Sequence, residues 1–485
     1  MNQQSNRRSF IKTVSAGTLG SALLYSSASN PAMAQTQPNI ILFLIDDLGW
    51  IDVGCYGSEY YQTPNIDRLA AEGMRFTNGY AACAVCSPTR ASILTGRYPS
   101  RMGITDWIRA RFQGGEIPED KENPSGYEGG PGQELLCPRN ALWMEHSEIT
   151  VAELLKEQGY TTCHIGKWHL GADDWYPDKQ GFDYNIGGCD YGQPPSYFDP
   201  YCNNHQGCIP TLEPRQEGEY LTDREADEAE AFIRKHKEEP FFLYMANYAV
   251  HTPIQAKQDL IEKYQNREPE GGQDNATYAA MVESVDDCVG QIMDTLEELD
   301  LDDNTLIIFT SDNGGLQGPT DNAPLRSGKG YPYEGGIREP FIVRWPGKIE
   351  AGMVNDTPVC SIDCLPTICD AVGIEPPQDR PIDGKSLMPL LTQTGTLNRE
   401  SLFWHFPHYR HGNSPYSIIR KGDYKLIKHY VGPRFELFNL KEDLSEQNNL
   451  AESEPDKREE LHTDLQTWLT QSNAKLPKKN PNYEG

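Results

Sequence analysis

The run Ile40-Ile41-Leu42-Phe43-Leu44-Ile45 and the acidic pair that follows it, Asp46-Asp47, decide how the rest of the sequence is interpreted. An unbroken apolar run between Pro38 and two carboxylates is typical of a strand that is buried on both faces of a sheet. Strands of this kind occur in α/β domains with largely parallel sheets, where ligands bind beyond the carboxyl ends of the strands. The pair Asp46-Asp47 stands at such an end.

Helix-like and strand-like segments alternate along the chain after Asp47, as that interpretation requires. Proline in the first turn and glycine after the last turn delimit two early helices, residues 64–73 and 87–96. The remaining predicted helices cover 149–158, 223–237 and 276–299, and the accompanying strands cover 161–165, 241–248 and 305–310. This alternation predicts an α/β fold with a large mixed, mainly parallel sheet flanked by helices.

Chemically reactive side chains follow four of the predicted strands. They are Asp46 and Asp47, Lys167 and His169, His251, and Asp312 and Asn313. A single aspartate after a strand is usually a turn or helix cap. Four strand ends that all carry such groups at the ligand-binding edge indicate a functional site instead.

The segment Cys86-Ser87-Pro88-Thr89-Arg90 adds a candidate nucleophile. With Ser87 as N-cap and Pro88 at the first helical position, Cys86 is predicted just before a helix, where free N–H groups favour an anion. Arg90 adds a planar cation in the first turn. The motif alone leaves two interpretations open: an activated thiolate, or a buried cysteine before an ordinary helix.

This C-x-P-x-R motif, continued by Ala91-Ser92-Ile93-Leu94-Thr95-Gly96-Arg97, closely resembles the signature of the type I sulfatases. These are the formylglycine-dependent, arylsulfatase-like members of the alkaline phosphatase superfamily. Further segments are similar to the same family in the same order: 39–47, 63–69, 166–171, 251–253, 311–314 and the Lys329 segment 327–330. The resemblance implies an alkaline-phosphatase-like catalytic domain.

The resemblance also implies a role for each site residue. Cys86 is expected to be oxidised to formylglycine by a formylglycine-generating enzyme. The metal-site residues are expected to be Asp46, Asp47, the modified Cys86, Asp312 and Asn313. Hard oxygen ligands favour Ca²⁺ or Mg²⁺ over zinc, and the resemblance to the family implies one Ca²⁺ per chain. Lys167, His251 and Lys329 are expected to hold the sulfate ester, and Arg90 to hold the hydroxyl of the modified residue 86 and the metal-side oxygens. His251 or Lys329 is expected to protonate the leaving alcohol, and His169 to act as base.

Residues 1–34 are predicted to be an export signal. Arg7-Arg8 precedes a mildly apolar stretch and the cleavage-like Ala32-Met33-Ala34, which indicates the twin-arginine translocase and a periplasmic or secreted protein. An N-terminal membrane anchor is the alternative, but the stretch is rich in Ser and Gly and falls short of about 20 residues. No membrane span is expected in the mature protein.

The charge of the chain limits the class of ligand. The sequence has 43 Lys and Arg against 71 Asp and Glu, a formal charge of −28, and removal of residues 1–34 leaves −31. Such a balance argues against nucleic-acid binding, which needs clustered cations. It also makes an anionic substrate unexpected unless cations are concentrated at the site.

The chain is divided near residue 385 into a catalytic domain, 35–385, and a smaller C-terminal α+β subdomain, 386–485. Antiparallel strands are predicted over 417–420, 424–427 and 435–439, and a helix over 456–471 with Leu461, Leu465 and Leu469 on one face. The cluster His405, His408, Arg410 and His411 is either a solvated loop or a set of contacts to the non-sulfated part of the substrate. The stretch 184–208 is a second candidate for the pocket wall.

Two groups of cysteines have structural interpretations. Cys202 and Cys208 close a short loop and form a disulfide if the compartment is oxidising. Cys360, Cys364 and Cys369 match no common zinc spacing and are expected to be buried thiols or to include one disulfide.

Together these features predict a sulfuric ester hydrolase that releases sulfate, preferentially from a sulfated carbohydrate. One alternative is a phosphonate or phosphodiester hydrolase of the same superfamily. Another is an inactive glycan-binding relative, although every expected site position is filled by the expected residue.

Overall fold

The computed structural model describes residues 37–410 and 412–484, so the predicted signal, 1–34, lies outside the described residues. Within them, nine strands form the large sheet. In chain order, β1 to β9 are Asn39–Ile45, Met74–Tyr80, Thr161–Gly166, Tyr184–Ile186, Phe241–Ala246, Thr305–Ser311, Arg338–Arg344, Met353–Asn355 and Val359–Cys360.

The sheet is mixed and mainly parallel, as predicted. The strand order is β8-β2-β7-β6-β1-β5-β3-β4, with β9 paired to β2. Strands β6, β1, β5, β3 and β4 run parallel to one another. Strand β7 is antiparallel to both β6 and β2, while β8 and β9 run parallel to β2. Neither β2 nor β7 was among the predicted strands.

Eleven α-helices are found in the described part of the chain. In order, α1 to α11 are Pro64–Ala71, Cys86–Thr95, Pro99–Met102, Val151–Glu157, Leu221–His236, Gln258–Gln265, Ala276–Glu298, Glu334–Ile337, Cys364–Val372, Met388–Leu391 and Pro455–Gln471.

Helices cover both faces of the large sheet. On β1, Ile41, Phe43 and Ile45 pack in one core with α1, α5 and α7. The intervening Ile40, Leu42 and Leu44 pack in a second core with α2, α4 and α9. Because both faces are buried, β1 has no polar alternation, which explains the unbroken apolar run in the sequence.

A separate antiparallel sheet lies in the C-terminal part. Its strands, β10 to β13, are Ser401–Phe406, Tyr416–Lys421, Tyr424–His429 and Arg434–Asn439. Leu461, Leu465 and Leu469 of α11 are buried against it, as predicted. Tyr80 and Val85 belong to the same apolar cluster, so this core also contains residues from the N-terminal part. The boundary near residue 385 stays a prediction.

Two small sheets complete the described residues. One joins Tyr127–Glu128, Leu135–Pro138 and Lys478–Lys479. The other is the hairpin Cys202–Asn203 with Gly207–Cys208, across which Cys202 and Cys208 form the predicted disulfide. Cys360, Cys364 and Cys369 are buried free thiols. No helix within residues 37–410 and 412–484 has the length and apolarity needed to cross a membrane.

Candidate active site

Four neighbouring parallel strands bring most of the predicted site residues to one edge. Strands β6, β1, β5 and β3 are adjacent in the sheet, so their carboxyl ends lie side by side. The residues that follow these ends are Asp312 and Asn313, Asp46 and Asp47, His251, and Lys167 and His169. This is the edge at which a parallel sheet is expected to bind its ligand.

Helix α2 supplies Cys86 and Arg90, but it begins earlier than predicted. The first helical residue is Cys86 and the N-cap is Val85, so Cys86 lies in the first turn rather than before it. Ser87 does not cap the helix. Its hydroxyl donates to the carbonyl of His169 at 2.9 Å and accepts from the amide of Ile108 at 2.9 Å. The side chain predicted as a cap instead joins two loops that flank the site.

Buried cations and carboxylates pair across the site. Lys167 Nζ donates to Asp46 Oδ2 at 2.7 Å, and Lys329 Nζ lies 2.6 Å from Asp47 Oδ1. Arg90 donates through Nε to Asp312 Oδ2 at 2.8 Å. All six side chains are buried. Each cation therefore has its own carboxylate, as a low-polarity interior requires.

The oxygens that remain around Cys86 fit a bound cation. Asp46 Oδ1, Asp47 Oδ2 and Asn313 Oδ1 are buried and have no hydrogen-bond partner. Asn313 Nδ2 donates to Asp47 Oδ1 at 2.8 Å, which fixes its amide oxygen as the free atom. Asp46, Asp47, Cys86 and His251 each offer a ligand atom within 4.8 Å of the others. Unpaired buried oxygens are costly, and a hard divalent cation would satisfy them.

Both carboxylate oxygens of Asp312 already accept hydrogen bonds, unlike those of the other predicted metal-site aspartates. Its Oδ2 accepts from Arg90, and its Oδ1 accepts from the amide of Asp47 at 3.2 Å. A carboxylate oxygen has more than one lone pair, so these bonds leave Asp312 able to reach a cation.

The electrostatic field at Cys86 favours an anion. Burial raises the pKa of the Cys86 thiol, but the charges of Lys167 and Lys329, with smaller contributions from His169 and His251, together hold the pKa well below its usual range. Burial lowers the pKa of Lys329, but the negative charge of Asp47, with that of Cys86, Asp46 and Asp312, raises the pKa above its usual value, so this lysine stays cationic. The surroundings of residue 86 therefore stabilise negative charge on its side chain.

His169 has the position and the neutral form that a general base needs. Its Nε2 lies 2.7 Å from the carbonyl oxygen of Ile108, and a carbonyl only accepts, so Nε2 carries the proton. Nδ1 has no hydrogen-bond partner. Burial lowers the pKa of His169 to about 4, which keeps the ring neutral near pH 7. The free Nδ1 can therefore accept a proton.

His251 lies at the more open side of the site. Its Nδ1 is 2.9 Å from the carbonyl of Thr252, and its Nε2 is 3.6 Å from Asp47 Oδ2. The side chain is 13% exposed, whereas that of Asp47 is 1% exposed. His251 is thus the site residue best placed to meet a group that enters from solvent.

Backbone conformation marks two site residues. Asp47 and His169 have φ values of 63° and 59°, in the left-handed region that residues with a Cβ seldom adopt. A Cβ on Gly192 would lie 2.8 Å from the His169 ring, so glycine is needed there. Strain of this kind is retained where the surrounding structure fixes a functional geometry.

A cavity of about 200 Å³ leads to these residues. Its lining residues are Cys86, Trp107, Gln113, His169, Gly192, Gln193, His251, Lys329 and Arg410. Gly192 and Gln193 come from the stretch 184–208, which was expected at the pocket wall. Trp107 and Gln113 were not predicted, because no local sequence pattern marks their irregular loop.

The cluster His405, His408, Arg410 and His411 contains both buried residues and a residue that lines the cavity. His405 is buried and bonded to Ser417 Oγ at 2.7 Å, and His408 is buried with its Nε2 2.8 Å from Thr105 Oγ1. Both histidines are buried in core contacts, and neither is among the residues that line the cavity. Arg410 lines the cavity, and His411 lies outside the described residues.

The fold and the site define an α/β hydrolytic centre of the alkaline-phosphatase-like kind, and comparison with known proteins gives the family. A sequence profile described as "Sulfatase" matches residues 38–374, and one described as "N-sulphoglucosamine sulphohydrolase, C-terminal" matches residues 328–475. The chain belongs to the sulfatase family and is a sulfuric ester hydrolase.

Individual relatives are similar over most of their length. A "Sulfatase" from Formosa agariphila is 33% identical and covers 97% of this chain and 95% of the relative. Human N-acetylgalactosamine-6-sulfatase is 36% identical over 76% of this chain and 69% of the relative. The solved structure of Ps i-CgsB in complex with k-i-k-neocarrahexaose is similar with a TM-score of 0.75 and 31% identity, over 89% of this chain and 93% of that one.

Proposed function

We propose that this sulfatase hydrolyses sulfate esters of carbohydrates with a formylglycine derived from Cys86 and one Ca²⁺ per chain. The observation that carries the proposal is the set of unpartnered oxygens of Asp46, Asp47 and Asn313 beside Cys86 at the end of a solvent-connected cavity. Carboxylate and amide oxygens beside a position that stabilises negative charge on residue 86 are suited to a hard cation.

Charge balance explains how an acidic protein handles an anionic substrate. Asp46, Asp47 and Asp312 are offset by Arg90, Lys167 and Lys329, so the side chains sum to zero. A divalent cation bound among them makes the site positive. The local field then attracts a sulfate ester even though the chain as a whole carries −28.

The first chemical step uses residue 86 as nucleophile. Asp46, Asp47, Asp312 and Asn313 would hold Ca²⁺, which would supply positive charge beside the hydrated formylglycine and favour its ionised form. An oxygen of residue 86 forms a bond to sulfur while the bond between sulfur and the leaving alcohol breaks. Lys167 and Lys329 stabilise the charge on the sulfuryl oxygens, and Arg90 holds the oxygen of residue 86. His251 or Lys329 supplies the proton that the alcohol takes up.

The second step returns residue 86 to its starting state. His169 takes a proton from the second hydroxyl of residue 86 through its free Nδ1. The aldehyde re-forms as the bond from residue 86 to the sulfate oxygen breaks, and inorganic sulfate leaves. An unmodified cysteine or serine has no second hydroxyl and would be left as a stable adduct, which is why the modification is needed.

Two further parts of the proposal concern substrate and location. A carbohydrate is supported by the name of the human relative and by the oligosaccharide bound to the similar solved structure. Export is supported by the twin-arginine pattern in residues 1–34 and by the disulfide between Cys202 and Cys208. We propose a periplasmic or secreted enzyme that is matured by a formylglycine-generating enzyme before export.

Mass spectrometry of the protein from its native host tests the modification and the export together. We expect the peptide containing residue 86 to carry formylglycine and the mature chain to begin at Gln35. Unmodified cysteine in all copies of that peptide would refute the mechanism, and an intact N-terminus in the exported fraction would refute the cleavage.

Paired substrates test the reaction type. We expect kcat/KM for an aryl sulfate to exceed that for the matching aryl phosphodiester. A dominant phosphodiesterase rate would favour the alternative assignment, a phosphonate or phosphodiester hydrolase. Binding of sulfated glycans without release of sulfate by the matured protein would favour the inactive relative.

A further inference from the structure

One wall of the cavity is formed by residues that take no part in the proposed chemistry. Trp107, Gln113, Gln193 and Arg410 line it beside Cys86 and His169. At about 200 Å³ the cavity is below the range of about 300–1,000 Å³ typical of drug-sized ligands. Its size suits a single small ring, and its wall is where the leaving alcohol has to lie.

Arg410 is held in place but keeps most of its hydrogen-bonding capacity. Its Nη1 donates to Asp106 Oδ1 at 3.2 Å, and its guanidinium carbon lies 5.5 Å from the centre of the Trp107 ring. The side chain is only 16% exposed, and its buried Nε has no hydrogen-bond partner. A guanidinium has five N–H groups, so Asp106 leaves several donors unused.

Trp107 presents an aromatic surface between Arg410 and the catalytic centre. Its ring centre is 6.4 Å from that of His169, and its backbone amide donates to Asp106 Oδ1 at 2.9 Å. Asp106 therefore fixes both Trp107 and Arg410. Aromatic rings with neutral amides nearby, here Gln113 and Gln193, are suited to the apolar face and the hydroxyls of a sugar.

The positive charge near this wall exceeds what a neutral sugar needs. Asp106 offsets Arg410, and Arg109, which does not line the cavity itself, lies 5.9 Å from the Trp107 ring centre as a second cation. Arg109 is exposed, and no ion pair to it is found within residues 37–410 and 412–484. A partly desolvated guanidinium with spare donors is best matched by a carboxylate or sulfate, which it binds through two parallel hydrogen bonds.

We propose that Arg410 and Trp107 form a subsite that selects sugars with a second anionic group besides the sulfate that is cleaved. Trp107 packs against the sugar ring, and Arg410 binds the second group, a carboxylate or another sulfate. This inference rests on the proposed function, because it takes the cleaved sulfate to lie at Cys86. Trp107 and Arg410 are specificity residues and not catalytic ones.

Matched pairs of sulfated mono- and disaccharides test the subsite, each pair differing only in whether a carboxylate or second sulfate is present. We expect the matured wild-type enzyme to prefer the doubly anionic member of a cleaved pair by about tenfold or more in kcat/KM. Arg410→Met should lower this ratio about ten- to hundredfold, and Arg410→Lys should restore part of it. Arg434→Met, which changes an exposed arginine on β13, is the matched control and should leave the ratio unchanged.

The outcomes separate this inference from the proposed function. If Arg410 only supports the fold, Arg410→Met lowers kcat/KM equally for both members of a pair, and the subsite is refuted. If the wild type shows no preference within any cleaved pair, or cleaves an aryl sulfate but none of the sugars, the subsite is also refuted while the sulfatase chemistry stands. Failure of the matured enzyme to release sulfate from every probe would refute the proposed function itself. Where Arg410→Met does not fold, Arg410→Lys takes its place: it should lower the ratio by a smaller factor, and an unchanged ratio would refute the subsite.

Discussion

Cys86 lies where neighbouring side chains favour the charged form of its thiol. Burial raises the pKa of the thiol, but Lys167 and Lys329, which approach from two different loops, hold it well below its usual range together with His169 and His251. Cys83, three residues earlier, is equally buried, but burial raises the pKa of its thiol to about 12. Two buried cysteines close together in sequence thus differ because only one of them faces the buried cations.

The role of Cys86 as nucleophile is tested by replacing the residue. We expect Cys86→Ala to lower the release of sulfate from an aryl sulfate by about a thousandfold or more, because no nucleophile remains. Cys83→Ala removes the same atom from a buried cysteine that does not face the site, and it should keep activity close to that of the wild type. Full activity of Cys86→Ala would contradict the assignment of the nucleophile.

Asp47 tests the metal site. Asp47→Asn keeps the shape of the side chain but removes an anion and one of the unpartnered oxygens, so we expect calcium affinity measured by calorimetry to fall at least about tenfold. The stabilisation of the wild type by added calcium, seen as a rise in Tm, should shrink with it.

Asp52→Asn is the matched control for Asp47. Asp52 is also buried, but its carboxylate accepts hydrogen bonds from Tyr278 and Thr320 instead of facing Cys86. Asp52→Asn makes the same change of charge at a carboxylate that does not face Cys86, so calcium affinity should stay close to that of the wild type. Equal calcium affinity in Asp47→Asn and the wild type would show that the ion, if it binds, does so elsewhere.

Among the helices and strands, those with a strong apolar pattern of their own were predicted best from the sequence. Strand β1 and helix α7 have strong apolar patterns, and their predicted bounds agree with the structure to within one residue. Strand β7 was missed because charged residues stand at both of its ends, and part of their stabilisation comes from distant partners. For example, Arg344 pairs with Glu72 and with Asp302. Such partners cannot be read from the local sequence.

The same distinction applies to the site. The residues that follow parallel strands, such as Asp46 and Asp312, were predicted to lie close together because sheet geometry brings strand ends to one edge. Trp107 and Arg410 are 303 residues apart and meet only through the tertiary fold. The roles of all these residues stay predictions. Their positions show that sequence motifs locate the reacting groups more reliably than they locate the residues of the pocket wall.

Helix α11 tests how the antiparallel sheet is held. Leu465 is fully buried, and Trp468 of the same helix stacks on Phe403 with ring centres 4.8 Å apart. We expect Leu465→Ala to lower the free energy of unfolding by about 2–4 kcal/mol, measured by denaturant titration. Gln466→Ala, at an exposed position on the same helix, should change it by less than about 0.5 kcal/mol. Comparable effects of the two substitutions would mean that α11 contributes little to this core.

At the scale of the whole molecule, net charge and site charge are independent quantities. The chain carries −28, while the buried site holds three cations against three carboxylates. Many other ion pairs, such as Arg68 with Asp294, lie on the surface and contribute little to stability. The acidic exterior therefore affects solubility and association, whereas the chemistry depends on charges that solvent does not screen.

A buried histidine, His164, is expected to make the folded protein less stable in acid. His164 is fully buried among the rings of Trp168, Phe182 and Tyr244, with centres 5.3–5.6 Å away. Burial, with a smaller contribution from the charge of Arg90, lowers the pKa of His164 to about 3. In the unfolded chain a histidine titrates near 6.5, so between about pH 6.5 and 3 the unfolded state binds the proton more tightly.

Stability contributed by neutral His164 is therefore present above about pH 6.5 and is lost as the pH falls, by about 2 kcal/mol at pH 5. In His164→Leu, the decrease in unfolding free energy between pH 7.5 and pH 5 should be smaller than in the wild type by about this amount. His205→Gln, which removes an exposed imidazole, should follow the wild type in the same denaturant titrations. If the unfolding free energy of His164→Leu decreases between pH 7.5 and pH 5 by as much as that of the wild type, the His164 ring is protonated in the folded protein. The acid sensitivity then comes from other buried groups such as His405, whose pKa burial lowers to about 4.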